Sequence, residues 1–151
     1  MKIIEARQEH IPTVVGLLSA CMRTMRNKGI DQWDDIYPNE EVVMKDVNDL
    51  SLYVLEENDI CIGAVSLNQE QDVAYQQINW LGGAPVLVVH RLCVDPDHQG
   101  GGLGSRLMDF AEEHAKRNAY AVRCASVLSP LIAACAAARR AMGTRNGEQD
   151  T

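Results

Sequence analysis

The chain of 151 residues is 46% hydrophobic and 23% charged with a formal net charge of −7, values ordinary for one globular domain large enough to bury a core. No basic stripe is present, which argues against nucleic acid as the main partner, and no apolar segment approaches the length of a membrane span. The excess of acid suits a cationic substrate such as an amine, and serves equally well as a solubility device.

Five cysteines (Cys21, Cys61, Cys93, Cys124 and Cys135) lie scattered in apolar contexts without a Cys-x-x-Cys pair. That usage fits free thiols in a reducing cytoplasm and gives no basis for a structural metal. The N-terminus, Met1 to Arg7, lacks the apolar stretch of a signal peptide, so a cytoplasmic location is expected.

In chain order, Lys2 to Ala6 reads as a first strand. Ile11, Val14, Val15, Leu18, Cys21, Met22 and Met25 then recur at helical spacing and predict a helix from about Gln8 to Asn27, stopped by Gly29. Pro12 is tolerated in its first turn, where no N–H is needed. The stretch from Gly29 to Pro38 is irregular, aromatic and acidic. Asn39 follows as an N-cap, with Glu40 and Glu41 opening a second helix that runs to about Val47. Ser51 to Glu56 and Ile60 to Leu67 read as strands of a hairpin turned at Glu57-Asn58-Asp59. Gln69 to Gly83 is a polar excursion carrying Tyr75 and Trp80. The apolar run Val86 to Val94 predicts a buried strand that Pro96 ends, a helix follows from Gly102 to about Asn118, and Ala121 to Ala125 is a short last strand.

Between the buried strand and the third helix lies Gln99-Gly100-Gly101-Gly102-Leu103-Gly104, followed by Ser105. A glycine turn from strand to helix points backbone N–H groups and a helix N-terminus at one place, and such a place binds phosphate. A nucleotide-phosphate loop of the Walker type needs Lys-Ser/Thr after its last glycine, where Ser105-Arg106 stands. A dinucleotide fingerprint needs a glycine where Leu107 stands.

The pattern Gln-x-x-Gly-x-Gly, preceded by Leu92-x-Val94-Asp95-Pro96-x-x-Gln99, resembles instead the acetyl-CoA loop of the GNAT superfamily of N-acetyltransferases. The resemblance runs from residue 1 to about 125 and takes in the Gly29-Ile30-Asp31-Gln32-Trp33-Asp34 stretch with Tyr37-Pro38. It implies an α+β fold of three layers, with a mostly antiparallel mixed sheet and helices on both faces. It also implies acetyl-CoA as co-substrate, with its diphosphate on Gln99, Gly100, Gly101, Gly102, Leu103, Gly104 and Ser105, and its pantetheine arm along the main chain of Leu92, Cys93 and Val94. A bulge in that strand would free a main-chain N–H, assigned to Cys93, to hold the oxyanion.

The chemistry also needs a route for the amine proton. His90 is the candidate, relaying the proton through water, and a histidine merely packed near the core is the competing reading. The Cys93 thiol as a nucleophile is the weaker option, since direct transfer is the rule in that superfamily. Trp33 and Tyr37 are candidate walls of an amine pocket, with Asp34 or Asp35 to attract the ammonium; they could equally staple the two N-terminal helices. Glu70 and Asp72 are secondary candidates for the same charge role.

After residue 125 the chain departs from the family pattern. No aromatic residue follows Tyr120, although the superfamily's thiolate acid is commonly a tyrosine in that region, and Ser129 to Met142 is an alanine-rich helix candidate. The C-terminal hairpin is therefore expected to be incomplete, and an exposed sheet edge there would invite a second copy of the chain as partner. The reading is a single domain over residues 1–151, transferring acetyl to a primary amine of a small molecule or peptide. It involves neither nucleic acid nor membrane. The alternatives are an impaired acyl-CoA-binding protein of the same fold and a nucleotide-phosphate-binding module.

Overall fold

The computed structural model describes residues 1–29, 39–70, 86–119 and 121–124, the last four as backbone. Strand β1 (Lys2–Glu5) leads through a 3-10 turn (Gln8–His10) into helix α1 (Ile11–Asn27). The helix predicted from Gln8 thus begins with a tighter turn. The His10 Nδ1 atom accepts the Arg7 N–H at 2.9 Å and closes that turn just before Pro12 enters the first turn of α1. Gly29, at φ +76°, ends the helix in the left-handed region that favours glycine.

Helix α2 (Glu40–Asn48) starts as its sequence implies: the Asn39 side chain accepts the Val42 N–H at 3.1 Å, and Glu40 and Glu41 occupy the positive end. Strands β2 (Leu52–Glu57) and β3 (Ile60–Asn68) are joined through Asn58-Asp59, at φ +52° and +61°. Two consecutive positive φ values are the signature of a type I′ hairpin turn, whose twist matches that of the strands. Strand β4 (Val86–Val94), a 3-10 turn (Pro96–His98), helix α3 (Leu103–Arg117) and strand β5 (Ala121–Cys124) complete the order.

The sheet runs β1-β2-β3-β4-β5, antiparallel through β4, with β5 parallel to β4. Each face carries its own core. On one, Val14, Leu17, Leu18 and Cys21 of α1 and Val43 and Val47 of α2 pack on Leu52, Val54, Ala64 and Cys93. On the other, Leu107, Met108, Ala111 and Ala115 of α3 pack on Leu55, Val65, Val89, Leu92 and Val94. Both faces of β3 and β4 are covered, which is why these strands read as apolar runs rather than alternations. The fold is α+β with helices on both faces. No helix among the described residues is long and apolar enough to cross a membrane.

The close approach of β3 to β4 rests on one glycine. A Cβ on Gly63 would stand 3.1 Å from the Cys93 carbonyl oxygen and 3.4 Å from Leu107 Cδ1. Replacing Gly63 with valine is therefore expected to lower stability by about 1–3 kcal/mol through overpacking, read as a lower urea midpoint at unchanged slope.

Candidate functional site

The site is built on the second half of β4. Ser66 pairs with His90 and Ala64 with Cys93, so Val65 alone faces both Arg91 and Leu92. That extra residue is a β-bulge, and Arg91 takes φ +49° to make it. The bulge also switches the strand's facing: Leu87 and Val89 lie on the α3 side before it, Leu92 and Val94 after it.

A charged residue at a bulge in a covered strand needs a partner. Arg91 Nε donates to Asp46 Oδ2 at 2.7 Å and Nη2 to Oδ1 at 2.8 Å, a two-pronged pair with α2, and Nη2 also reaches Ser66 Oγ at 3.4 Å. Both side chains are buried, at 8% and 3% exposure. Sequence reasoning missed this pair; the signal available was His90-Arg91 in the middle of an apolar strand.

Beyond the bulge the strand's inner groups are taken. The Asp95 N–H donates to the Ile62 carbonyl at 2.8 Å. By the two-residue alternation of a strand, Cys93 also directs its main chain toward β3, while Leu92 and Val94 direct theirs to the outer edge. This places the outward-facing N–H at Leu92, whereas the oxyanion donor was expected at Cys93. β5 pairs only with Val86–Val89, so among the described residues no strand covers the outer edge from His90 to Val94.

The loop after β4 is fixed by short-range bonds. Asp95 Oδ1 accepts the Asp97 N–H at 2.9 Å, and Gln99 Nε2 donates to the Val94 carbonyl at 3.0 Å. The Gln99 side chain thus ties the loop to the strand. Gly100 and Gly102 take φ +87° and +79°, and Gly102 is the N-cap of α3.

The contrast with α2 is informative. Helix α2 has an asparagine cap and two acids in its first turn; α3 has no side-chain cap and no acid there. The first N–H groups of a helix lack intrahelical partners, and the first turn of α3 carries no acid of its own to offset the positive end. At Gly104 a Cβ would meet nothing within 4 Å, so the space in front of this turn is open. An uncapped helix start behind two left-handed glycines fits an anionic diphosphate.

His90 lies half-buried, pairing with Ser66. Its Nε2 lies 3.1 Å from the Glu70 carbonyl oxygen, which can only accept, so Nε2 carries the proton and Nδ1 keeps its lone pair. Burial, reinforced by the Arg91 charge, holds its pKa below the ordinary 6.5, against the opposing Glu70 carbonyl, Asp46 and Glu70. The ring is neutral near pH 7.

The Cys93 thiol is fully buried against Cys21. The hydrogen bond with Cys21, together with burial, pushes it well above its ordinary pKa. A neutral, enclosed thiol is a poor nucleophile. The Glu70 carboxylate is paired with Lys45 Nζ at 2.7 Å, and that bond holds its pKa below the ordinary value. The structure brings His90, Leu92, Cys93, Val94 and the run from Gln99 to Ser105 onto one strand and turn. Trp33, Asp34, Asp35, Tyr37, Asp72 and the segment after Cys124 lie outside the described residues.

Solved structures share this fold. An acetyltransferase of the GNAT family from Streptococcus agalactiae superposes with TM-score 0.67 at 22% identity, over 75% of this chain and 69% of that one. One from Listeria monocytogenes gives 0.69 at 16%, over 82% and 74%. The N-acetylglutamate synthase of Neisseria gonorrhoeae, complexed with coenzyme A and N-acetyl-glutamate, gives 0.58 at 19%, over 82% of this chain and 24% of that one. No curated protein matches by sequence. The model of the acetyltransferase (GNAT) family matches residues 14–144, running past residue 125 into the segment where the sequence departs from the expected pattern. With a family match over most of its length and the fold to accompany it, the chain belongs to the GNAT family of acetyltransferases.

Proposed function

We propose that the chain transfers an acetyl group from acetyl-CoA to a primary amine of a small molecule or peptide, by direct attack on the thioester. One observation carries this reading: a bulged strand, whose outer edge no strand covers from His90 to Val94 among the described residues, leads through a short turn to a helix start with no side-chain cap and no acid in its first turn, behind two left-handed glycines. Coenzyme A bound to the synthase from Neisseria gonorrhoeae supports it.

Acetyl-CoA supplies the activated acyl group. The N–H groups at the start of α3 hold the diphosphate, with Gly102 and Gly104 leaving room for it. The outer edge of Leu92 and Val94 aligns the pantetheine arm, and the Leu92 N–H serves as the oxyanion donor. The Nδ1 atom of neutral His90 accepts the amine proton through water, and the leaving thiolate is protonated from solvent. Trp33, Asp34 and Tyr37 precede α2 in the chain and receive the amine.

The test is thiol release from acetyl-CoA with a panel of primary amines. The expected result is amine-dependent release matched by acetylated product. Tight CoA binding with no amine-dependent release would favour a non-catalytic acyl-CoA-binding protein instead.

The loop assignment makes a separate prediction. Gly104→Val keeps the backbone N–H and its Cβ meets no described neighbour within 4 Å, so stability should stay within about 0.5 kcal/mol of the parent. The side chain enters the space given to the diphosphate, so CoA affinity should fall about tenfold or more by calorimetry. Unchanged affinity would place the diphosphate elsewhere.

A further inference from the structure

The geometry points to Arg91 and Asp46 as a positioning pair that holds the β4 bulge and fixes the reacting strand against α2. The inference rests on the proposed acetyl transfer, because the bulge matters only if Leu92 and His90 face the reaction.

A long side chain persists at φ +49° only where its surroundings over-determine the backbone. Here the surroundings are the two-pronged bond to Asp46 and the contact with Ser66 Oγ, on residues 45 and 25 positions away in sequence. Asp46 is itself anchored. Its carbonyl accepts the Ser51 N–H at 2.9 Å and the Ser51 hydroxyl at 3.1 Å, which ties it into the turn between α2 and β2.

The residue just before the bulge, His90, is tied to the same helix by a second route. His90 Nε2 donates to the Glu70 carbonyl, and the Glu70 carboxylate is held by Lys45, the residue before Asp46. Two adjacent residues of the strand are thus referred to two adjacent residues of α2. The pair therefore sets the reacting strand and α2 in one frame.

Stability alone does not call for such a pair. A buried ion pair is often no better than well-packed apolar residues of the same volume, whereas a two-pronged guanidinium–carboxylate bond fixes direction. Among the described residues, the groups whose charge reaches His90 are Arg91 beside it, Asp46 on α2 and Glu70 after β3. The pair therefore sets the charge around the base as well as the path of the strand.

The experiment uses the full chain and three variants: Arg91→Gly, Arg91→Lys and Asp46→Asn. Glycine tolerates the positive φ, so Arg91→Gly removes the fork without adding backbone strain. Its expected effect is a kcat lower by about tenfold or more, with CoA affinity within about threefold, since the glycine loop is untouched. The His90 imidazole, followed by NMR titration, should titrate higher in Arg91→Gly, which loses the opposing positive charge. It should titrate lower in Asp46→Asn, which loses the supporting negative one. Arg91→Lys keeps a charge and loses the fork, so its kcat falls while the His90 titration moves less than in Arg91→Gly; it also decides the matter if the glycine variant does not fold.

Wild-type kcat in a folded Arg91→Gly or Arg91→Lys would overturn the pairing role. So would losses of kcat and CoA affinity that run in parallel with an unmoved His90 titration, which is what general loosening produces. If the parent binds CoA but acetylates no amine, the proposed transfer fails. The opposed His90 shifts, and the Leu92 amide resonance moving in both Arg91 variants, then decide the pairing independently.

Discussion

Replacing Asp46 with alanine is expected to lower the free energy of unfolding by about 3–5 kcal/mol, a large part of the total for a domain of this size. The reason is desolvation rather than the lost attraction. Asp46 is 2% exposed, and the guanidinium it binds is enclosed between α2 and the sheet. With the carboxylate gone, Arg91 keeps the cost of burial and loses its two-pronged partner. A double variant, Asp46→Leu with Arg91→Met, removes both charges at similar volume and should recover most of the loss. Urea denaturation at constant slope measures both. A single alanine variant as stable as the parent would mean that water reaches the pair.

Replacing His90 with glutamine should lower kcat by about 10²–10⁴-fold, the usual worth of a positioned general base. Glutamine can still donate to the Glu70 carbonyl, so the strand's local tie survives while the basic nitrogen is lost. The pH dependence gives a second readout. Burial and the Arg91 charge lower the imidazole pKa, so the ring is already neutral as pH rises past its ordinary value of 6.5. The acid limb of the parent's kcat profile should therefore fall below that value, and the limb should vanish in His90→Gln. A profile unchanged by the substitution would assign the proton to water alone.

Much of the fold was legible because its signals are local. Asn39 before two glutamates marks the start of α2, Pro12 and Gly29 bracket α1, and the apolar run from Val86 to Val94 has the same bounds in the structure as in the sequence. The glycine loop was legible for the same reason, since left-handed turns at Gly100 and Gly102 leave a compositional mark. Small differences cluster at element ends. Glu57 joins β2 because a two-residue turn at Asn58-Asp59 suffices, and the first turn of the N-terminal helix tightens around His10.

The family resemblance allowed for a bulge in β4, but its position was not legible in the residues. A strand covered on both faces is apolar at every position, so a one-residue insertion leaves no break in its pattern. Its consequence, that Cys93 turns inward and Leu92 outward, therefore needs the register against β3. The Arg91–Asp46 bond spans 45 positions, and nothing near either residue announces the other. The lone polar pair His90-Arg91 in an apolar strand was the hint of side-chain chemistry there, and it named the histidine without its neighbour.

Calorimetry of acetyl-CoA against the full chain, with ATP as control and Gly104→Val in parallel, tests the acetyl-CoA reading most directly. Micromolar binding of acetyl-CoA, none of ATP, and a weakened affinity in the variant are the predicted results. A folded chain that binds ATP as well as acetyl-CoA, or that binds neither, would contradict it.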